Sequence, residues 1–174
     1  MVKIVGTCFF MILTMALAAC NPTNIQPAQK THSDIEIFFS PGTDCEENII
    51  TNINKSNKID IAVYSITNPK ITDAIIAAHK RGANVRVITD KTQAKGKKSL
   101  VSQIRAAGIP LLTNKNHKIE HNKFAVFDDL HTVSGSYNWT TNASVNNSEN
   151  CLFFDQPNME YSKRFEYLWQ MYER

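Results

Sequence analysis

Residues 119–150, IEHNKFAVFDDLHTVSGSYNWTTNASVNNSEN, decide how the rest of the chain is read. KFAVFDD and HTVSGSYN are two runs of β-branched and aromatic residues around a tight turn near Asp129, which predicts a hairpin. SENCLFFD supplies one more strand after it. Residues two apart on a strand share a face, so His121 and Lys123 project to the same side and Asn122 to the other. An imidazole and an ammonium group on one side of one strand suit chemistry on an anion.

Working outward, the segments before this hairpin have a different rhythm. IEIFFSP reads as a strand, and DCEENIITNINKS as a helix with an acidic first turn and Ile49, Ile50 and Ile53 at helical spacing. IDIAVYSI is a strand rich in branched residues. In NPKITDAIIAAHKRG, Asn68 is an N-cap, Pro69 the first helical residue and Gly82 the stop. NVRVITD, SLVSQIRAAG and IPLLTN continue as strand, helix and strand. After the hairpin, NMEYSKRFEYLWQMYER spaces Met159, Phe165, Leu168, Trp169 and Tyr172 as the core stripe of an amphipathic helix. Strands alternating with short helices predict an α/β fold: a mixed, mostly parallel sheet sandwiched between helices.

The 174 residues, 43% of them hydrophobic, suit one domain with a real core, read here as residues 34–174. Before it, Lys3 and the apolar run IVGTCFFMILTMALAA read as an export signal over residues 1–20, followed by a polar, Pro-containing tether over residues 21–33. LAAC, Leu17 to Cys20, resembles the bacterial lipobox, in which the cysteine is lipidated. Ala16 and Ala18 also fit an ordinary cleavage pattern, and an uncleaved anchor is a third reading. The expected location is therefore outside the cytosol: a periplasmic protein, a membrane-anchored lipoprotein or a secreted one. In an oxidising compartment Cys45 and Cys151 either form a disulfide or remain two buried thiols.

The formal net charge of +3 says little about partners. Its distribution says more: residues 79–98 carry Arg81, Arg86, Lys91, Lys95, Lys97 and Lys98 with one acid, Asp90. The run reads either as a basic patch that steers a polyanion or as a solvated helix end and loop.

His121, Lys123 and Asp128 form H-x-K-x4-D, and Gly135, Ser136 and Asn138 form G-S-x-N. Together these resemble the phospholipase D superfamily. The GSYNWT turn, the later NNSEN and a single motif copy are most similar to its small bacterial endonucleases and their mitochondrial relatives. The resemblance covers residues 34–174 and implies a phosphodiesterase with the phospholipase D-like fold, working without a cofactor or a metal. A phosphodiester repels anionic nucleophiles. A neutral imidazole at His121 avoids that repulsion, Lys123 compensates charge growing on the nonbridging oxygens, and Asn138 donates an amide hydrogen to them. Gly135 admits a close backbone approach, and Ser136 orients neighbours or hydrogen-bonds the phosphate. The resemblance implies that Glu149 orients the imidazole and that Asp128 belongs to the catalytic set in a supporting role. Asn147 and Asn150 are weaker candidates for the pocket lining, since amide-rich turns supply such residues anyway.

Attack by His121 expels an alkoxide, which needs a proton from a second acid. His32, His79, His117 and His131 each have ordinary structural readings. A twofold homodimer with the active site at its interface, His121 of one chain attacking and His121 of the other protonating, meets the need. His117 and His121 do not read as a zinc pair, because that spacing requires a helix where the pattern is a strand. Three functions follow as expectations. The first is a non-specific endonuclease on DNA or RNA, acting through a phosphohistidine; the second is a phospholipase D on membrane phospholipid; the third is a non-catalytic surface lipoprotein that binds polyanions.

Overall fold

A computed structural model describes residues 35–174; the export signal, Cys20, His32 and the tether lie outside the described residues. The chain runs through β1 (Ile35–Ser40), α1 (Asp44–Lys55), β2 (Lys58–Val63), α2 (Pro69–Lys80) and β3 (Asn84–Thr89). After a 3-10 turn at Gln93–Lys95 come α3 (Val101–Ala106), β4 (Leu111–Thr113), β5 (Lys123–Phe127) and β6 (His131–Gly135). α4 (Thr141–Val145), β7 (Glu149–Phe154) and α5 (Met159–Glu173) complete it.

Helix α2 begins as its sequence dictates: the Asn68 side chain accepts from the Ile71 amide at 3.3 Å and Pro69 stands in the first turn. The β5–β6 turn contains Asp128 and Asp129 at φ 53° and 58°, left-handed values that Asp tolerates better than branched residues do. Short α4 was absent from the sequence reading. It is started by Thr140, whose side chain accepts from the Ala143 amide.

The seven strands form one mixed sheet in the order β1-β7-β6-β5-β2-β3-β4. The expectation that it is mostly parallel is corrected: only β2–β3 and β3–β4 are parallel, and the other four pairings are antiparallel. The β5–β6 hairpin and β7 insert between β2 and β1, so β1 pairs with β7 at the edge instead of with its sequence neighbour.

Period-two alternation divides the strands between two cores. Ile59, Ile61, Val63, Ala125 and Phe127 pack with Ile49 and Ile53 of α1 and Ile71 and Ile75 of α2. Ala62, Ile88, Phe124 and Val126 face the opposite way, toward Phe165, Leu168 and Tyr172 of α5. Met159, expected in that stripe, is 55% exposed. Helix α5 covers β2, β4 and β5, and on the same face of the outer strand β1, Ile37 and Phe39 stand 53% and 67% exposed.

Of the two readings of the cysteines, the disulfide is the one formed. Cys45 in α1 and Cys151 in β7 are bridged with Cα atoms 6.0 Å apart, across a sequence separation of 106. Closing so long a loop restricts the unfolded chain strongly. Replacing both cysteines by alanine is expected to lower the unfolding free energy by about 3–5 kcal/mol in a denaturant titration, and no change would refute the stabilising role.

Candidate active site

Strand β5 lies antiparallel beside β2 with Lys123 opposite Val63, and the Tyr64 amide extends the ladder to the Asn122 carbonyl at 2.8 Å. The start of β5 is thereby fixed where β2, β3 and β6 end and where β7 begins. His121 sits just outside β5 but keeps the side it shares with Lys123. The two, with Gly135, Ser136, Asn138 and Glu149, line one cavity of about 410 Å³. A second cavity of about 310 Å³ shares His121, Lys123 and Gly135 and extends to Glu160, Tyr161 and Arg164 of α5.

Each lining residue is positioned by a neighbour. Gly135 has φ 151°, and a Cβ there would collide with the Asn150 carbonyl of β7, so only glycine lets β6 and β7 close at this point. The Ser136 hydroxyl donates to one Glu149 oxygen at 2.5 Å and accepts from the Asn150 amide at 3.1 Å. The other Glu149 oxygen accepts from Asn147 Nδ2 at 2.9 Å. Both carboxylate oxygens are thus engaged, and no hydrogen bond joins Glu149 to the His121 ring among the described residues. This differs from the expected contact. Asn147 and Asn150 act here through Glu149 and Ser136. Asn138 has a buried, unpartnered Oδ1, so the NH2 of the same amide is the end that can serve a bound oxyanion.

Lys123 Nζ donates to the His121 carbonyl at 2.7 Å, which ties the two motif residues together. Burial pushes the Lys123 ammonium below the usual lysine range, with Glu149 and Glu120 opposing the shift. A partly desolvated cation interacts more strongly with an anion brought beside it.

Tyr64 is a site residue that the sequence reading missed. Its ring lies 4.7 Å from the His121 ring and 5.1 Å from Lys123 Nζ, and its hydroxyl accepts from Gln93 Nε2 at 2.9 Å. Its only sequence signal was its place near the end of the strand segment IDIAVYSI, where it is the one aromatic residue. Behind the site, buried Glu120 accepts from the Asn122 amide at 3.2 Å and from the Tyr172 hydroxyl at 2.7 Å, while Asp90 accepts from the Glu120 amide at 3.1 Å. These bonds hold the approach to His121 on the end of α5.

Asp128 is not brought to the cavity. It lies at the far end of the five-residue strand β5, roughly 17 Å from Lys123 at 3.4 Å per residue. Its Oδ1 accepts from the amides of Asn57 and Lys58 at 2.9 and 2.8 Å, pinning the hairpin turn to the start of β2. The basic run also divides. Arg81 is spent on the carbonyls of Ile53 and Ser56, and Arg86 on Asp60 and Glu166 beneath Phe165 and Trp169. Lys91, Lys95, Lys97 and Lys98 remain exposed, in the loop that touches Tyr64 through Gln93.

Residues 49–169 match the family model described as Cardiolipin synthase, PLD-like domain, and the chain belongs to this phospholipase D-like family. The mitochondrial cardiolipin hydrolase of Chlamydomonas reinhardtii is 35% identical over 117 residues, covering 66% of this chain and 52% of the relative. The phospholipase D of Rickettsia conorii is 28% identical over 150 residues, covering 86% of this chain and 75% of the relative. The chain thus spans about half the length of the first of these relatives. The crystal structure of Nuc, a phospholipase D family member from Salmonella typhimurium, superposes with a TM-score of 0.74 at 29% identity, over 79% of this chain and 94% of that one. With one H-x-K motif among its 174 residues and that match, the chain stands in the small, single-motif subgroup.

The placement of Asp128 yields a test. Asp128→Ala leaves two amides without their acceptor and is expected to lower stability by about 1–3 kcal/mol, whereas Asp128→Asn, which keeps an oxygen at the same place, restores most of it. Denaturant titration of the two variants reads this directly. Equal losses, or none, would contradict the structural role.

Proposed function

We propose that the protein is a phosphodiesterase that hydrolyses nucleic acid through a phosphohistidine, working as a twofold homodimer. The observation that carries this is the cavity itself: an imidazole, a partly desolvated ammonium, a side-chain amide and a hydroxyl-bound carboxylate converge on one space. A phosphate seated there presents its nonbridging oxygens to Lys123 and Asn138. A ring nitrogen of His121 attacks phosphorus, forming the N–P bond as the P–O bond to the leaving alkoxide breaks. The alkoxide takes a proton from an acid. Water then attacks phosphorus with its proton passing to that same group, and His121 is released.

The acid is the reason for the dimer. Within the chain, His117 Nδ1 is bonded to the Tyr172 hydroxyl at 2.6 Å, His79 packs near Gly108, and His131 faces Asp155 at the turn end of β6. Among the described residues, none of these lines the cavity with His121. The partner's copy of His121, brought across a twofold axis, supplies the proton without a further residue. The exposed apolar side chains of β1, Ile37 and Phe39, lie on the strand that pairs with β7 through Ser40 and Glu149, and they give such an interface apolar surface beside the site.

Nucleic acid is favoured over lipid by the exposed lysines of residues 91–98 and by the basic flank of the second cavity at Arg164. The second reading, a phospholipase D acting on membrane phospholipid, is supported by the names of the relatives and by the same Ile37 and Phe39 strip, which would receive acyl chains. Purified protein offered plasmid DNA, RNA and cardiolipin vesicles side by side separates the two. Cleavage of nucleic acid, suppressed by salt, is the expected result, and hydrolysis of the lipid alone would overturn it. In the same assay His121→Asn is expected to be inactive. Mixed with wild type and allowed to exchange, it lowers activity per wild-type chain, because mixed dimers lack either attacker or acid. Undiminished activity per wild-type chain would remove the dimer from the mechanism.

A further inference from the structure

The second cavity at the site leads away along one flank of α5. Glu160, Arg164, Tyr167 and Met171 are spaced by four, three and four residues, so they form one side of the helix, and Arg174, the residue that follows its last turn, comes three positions later. Phe165, Leu168 and Tyr172 point from another side into the sheet. Arg164 lines the cavity that contains His121 and Lys123, and its guanidinium lies 5.4 Å from the ring centroid of Tyr167. Tyr167 in turn lines a further cavity of about 640 Å³ with Lys115, Asn116, Gln170, Met171 and Arg174. From Arg164 to Arg174 the flank runs about 15 Å at 1.5 Å per residue.

Three properties make this flank more than solvated helix surface. Tyr167 is 54% exposed, an aromatic face with an arginine on it and no place in either core. Among the described residues, none of Lys115, Arg164 and Arg174 is neutralised in an ion pair, although Lys163 one position away is paired with Glu160. The opposite wall is held in place: Asn114 donates to the His117 carbonyl at 2.9 Å and accepts from the Lys91 amide at 2.7 Å, and His117 is bonded to Tyr172 of α5 itself. Unpaired cations in a row beside an exposed ring, with Arg164 in the cavity that holds His121 and Lys123 and its neighbour Tyr167 in the next cavity along the helix, fit alternating phosphates and bases.

We infer that this flank of α5 is the binding track for a single-stranded polynucleotide, in which an unpaired base stacks on Tyr167 while Lys115, Arg164 and Arg174 contact the flanking phosphates. The inference rests on the nucleic-acid reading of the site and adds a strand preference to it. A duplex keeps its base faces covered, so it gains the phosphate contacts without the stacking. Acyl chains would go instead to Ile37 and Phe39 of the outer strand β1.

The test uses the full chain carrying His121→Asn, so that bound oligonucleotide is not cut, and reads fluorescence anisotropy of a labelled single strand and of its duplex at one salt concentration. Tyr167→Ala is expected to weaken single-strand binding about fivefold or more, the lower end of what one stacked base contributes, with a smaller effect on duplex, while Tyr167→Phe binds nearly as the parent does. Lys115→Glu with Arg174→Glu is expected to weaken binding of both. Lys80→Glu, an equal change of charge per site on the exposed end of α2, serves as the control and is expected to have little effect. Unchanged single-strand binding in Tyr167→Ala, or an equal loss in Lys80→Glu, would overturn the track and leave the nucleic-acid reading standing. Absence of any oligonucleotide binding by the parent, with cardiolipin vesicles bound instead, would overturn both.

Discussion

The antiparallel pairing of β5 with β2 is the constraint on which the rest depends. Setting Lys123 opposite Val63 puts the first residues of β5 at the sheet end where β2 and β3 finish, and the bond from the Tyr64 amide to the Asn122 carbonyl carries the ladder one step further. A slip of one residue would turn His121 and Lys123 to the α5 face and send Phe124 and Val126 into the wrong core. The burial of Ala125 and Phe127 on one side and of Phe124 and Val126 on the other opposes that slip, so the hydrophobic core and the two motif side chains are placed by one register. At the other end of the strand Asp128 locks the same register to the amides of Asn57 and Lys58.

Local signals made much of this legible in advance. The Asn68-Pro69 start of α2, the tight turn at Asp128 and Asp129, and, Met159 apart, the amphipathic stripe of α5 are each encoded within a few residues and appear as read. Strand order is a different matter, since no local pattern says that β1 will leave β2 and join β7, and the proportion of parallel pairings was misjudged for that reason. The disulfide was undecided because two cysteines 106 residues apart meet only once that strand order exists.

The site divides in the same way. His121, Lys123, Gly135, Ser136, Asn138 and Glu149 were named from spacing and resemblance, and they share a cavity. What spacing could not give is who holds whom. Glu149 turns to Ser136 and Asn147, and the imidazole rests against Tyr64, the residue that follows β2, 57 positions earlier in the chain. Charge counting failed more instructively. Arg81 and Arg86 belong to the basic run by sequence, yet carbonyls and carboxylates occupy both, while Arg164 and Arg174 drew no notice in a helix read for its apolar stripe.

The central claim is covalent chemistry at one imidazole. It is tested most directly by mixing the protein with a nucleic-acid substrate, quenching in alkali within the first turnovers and mapping the phosphorylated peptides by mass spectrometry. The account predicts a substrate-derived phosphoryl adduct on the His121 ring, absent without substrate. Turnover with no adduct on His121, or with the adduct on another side chain, would contradict it.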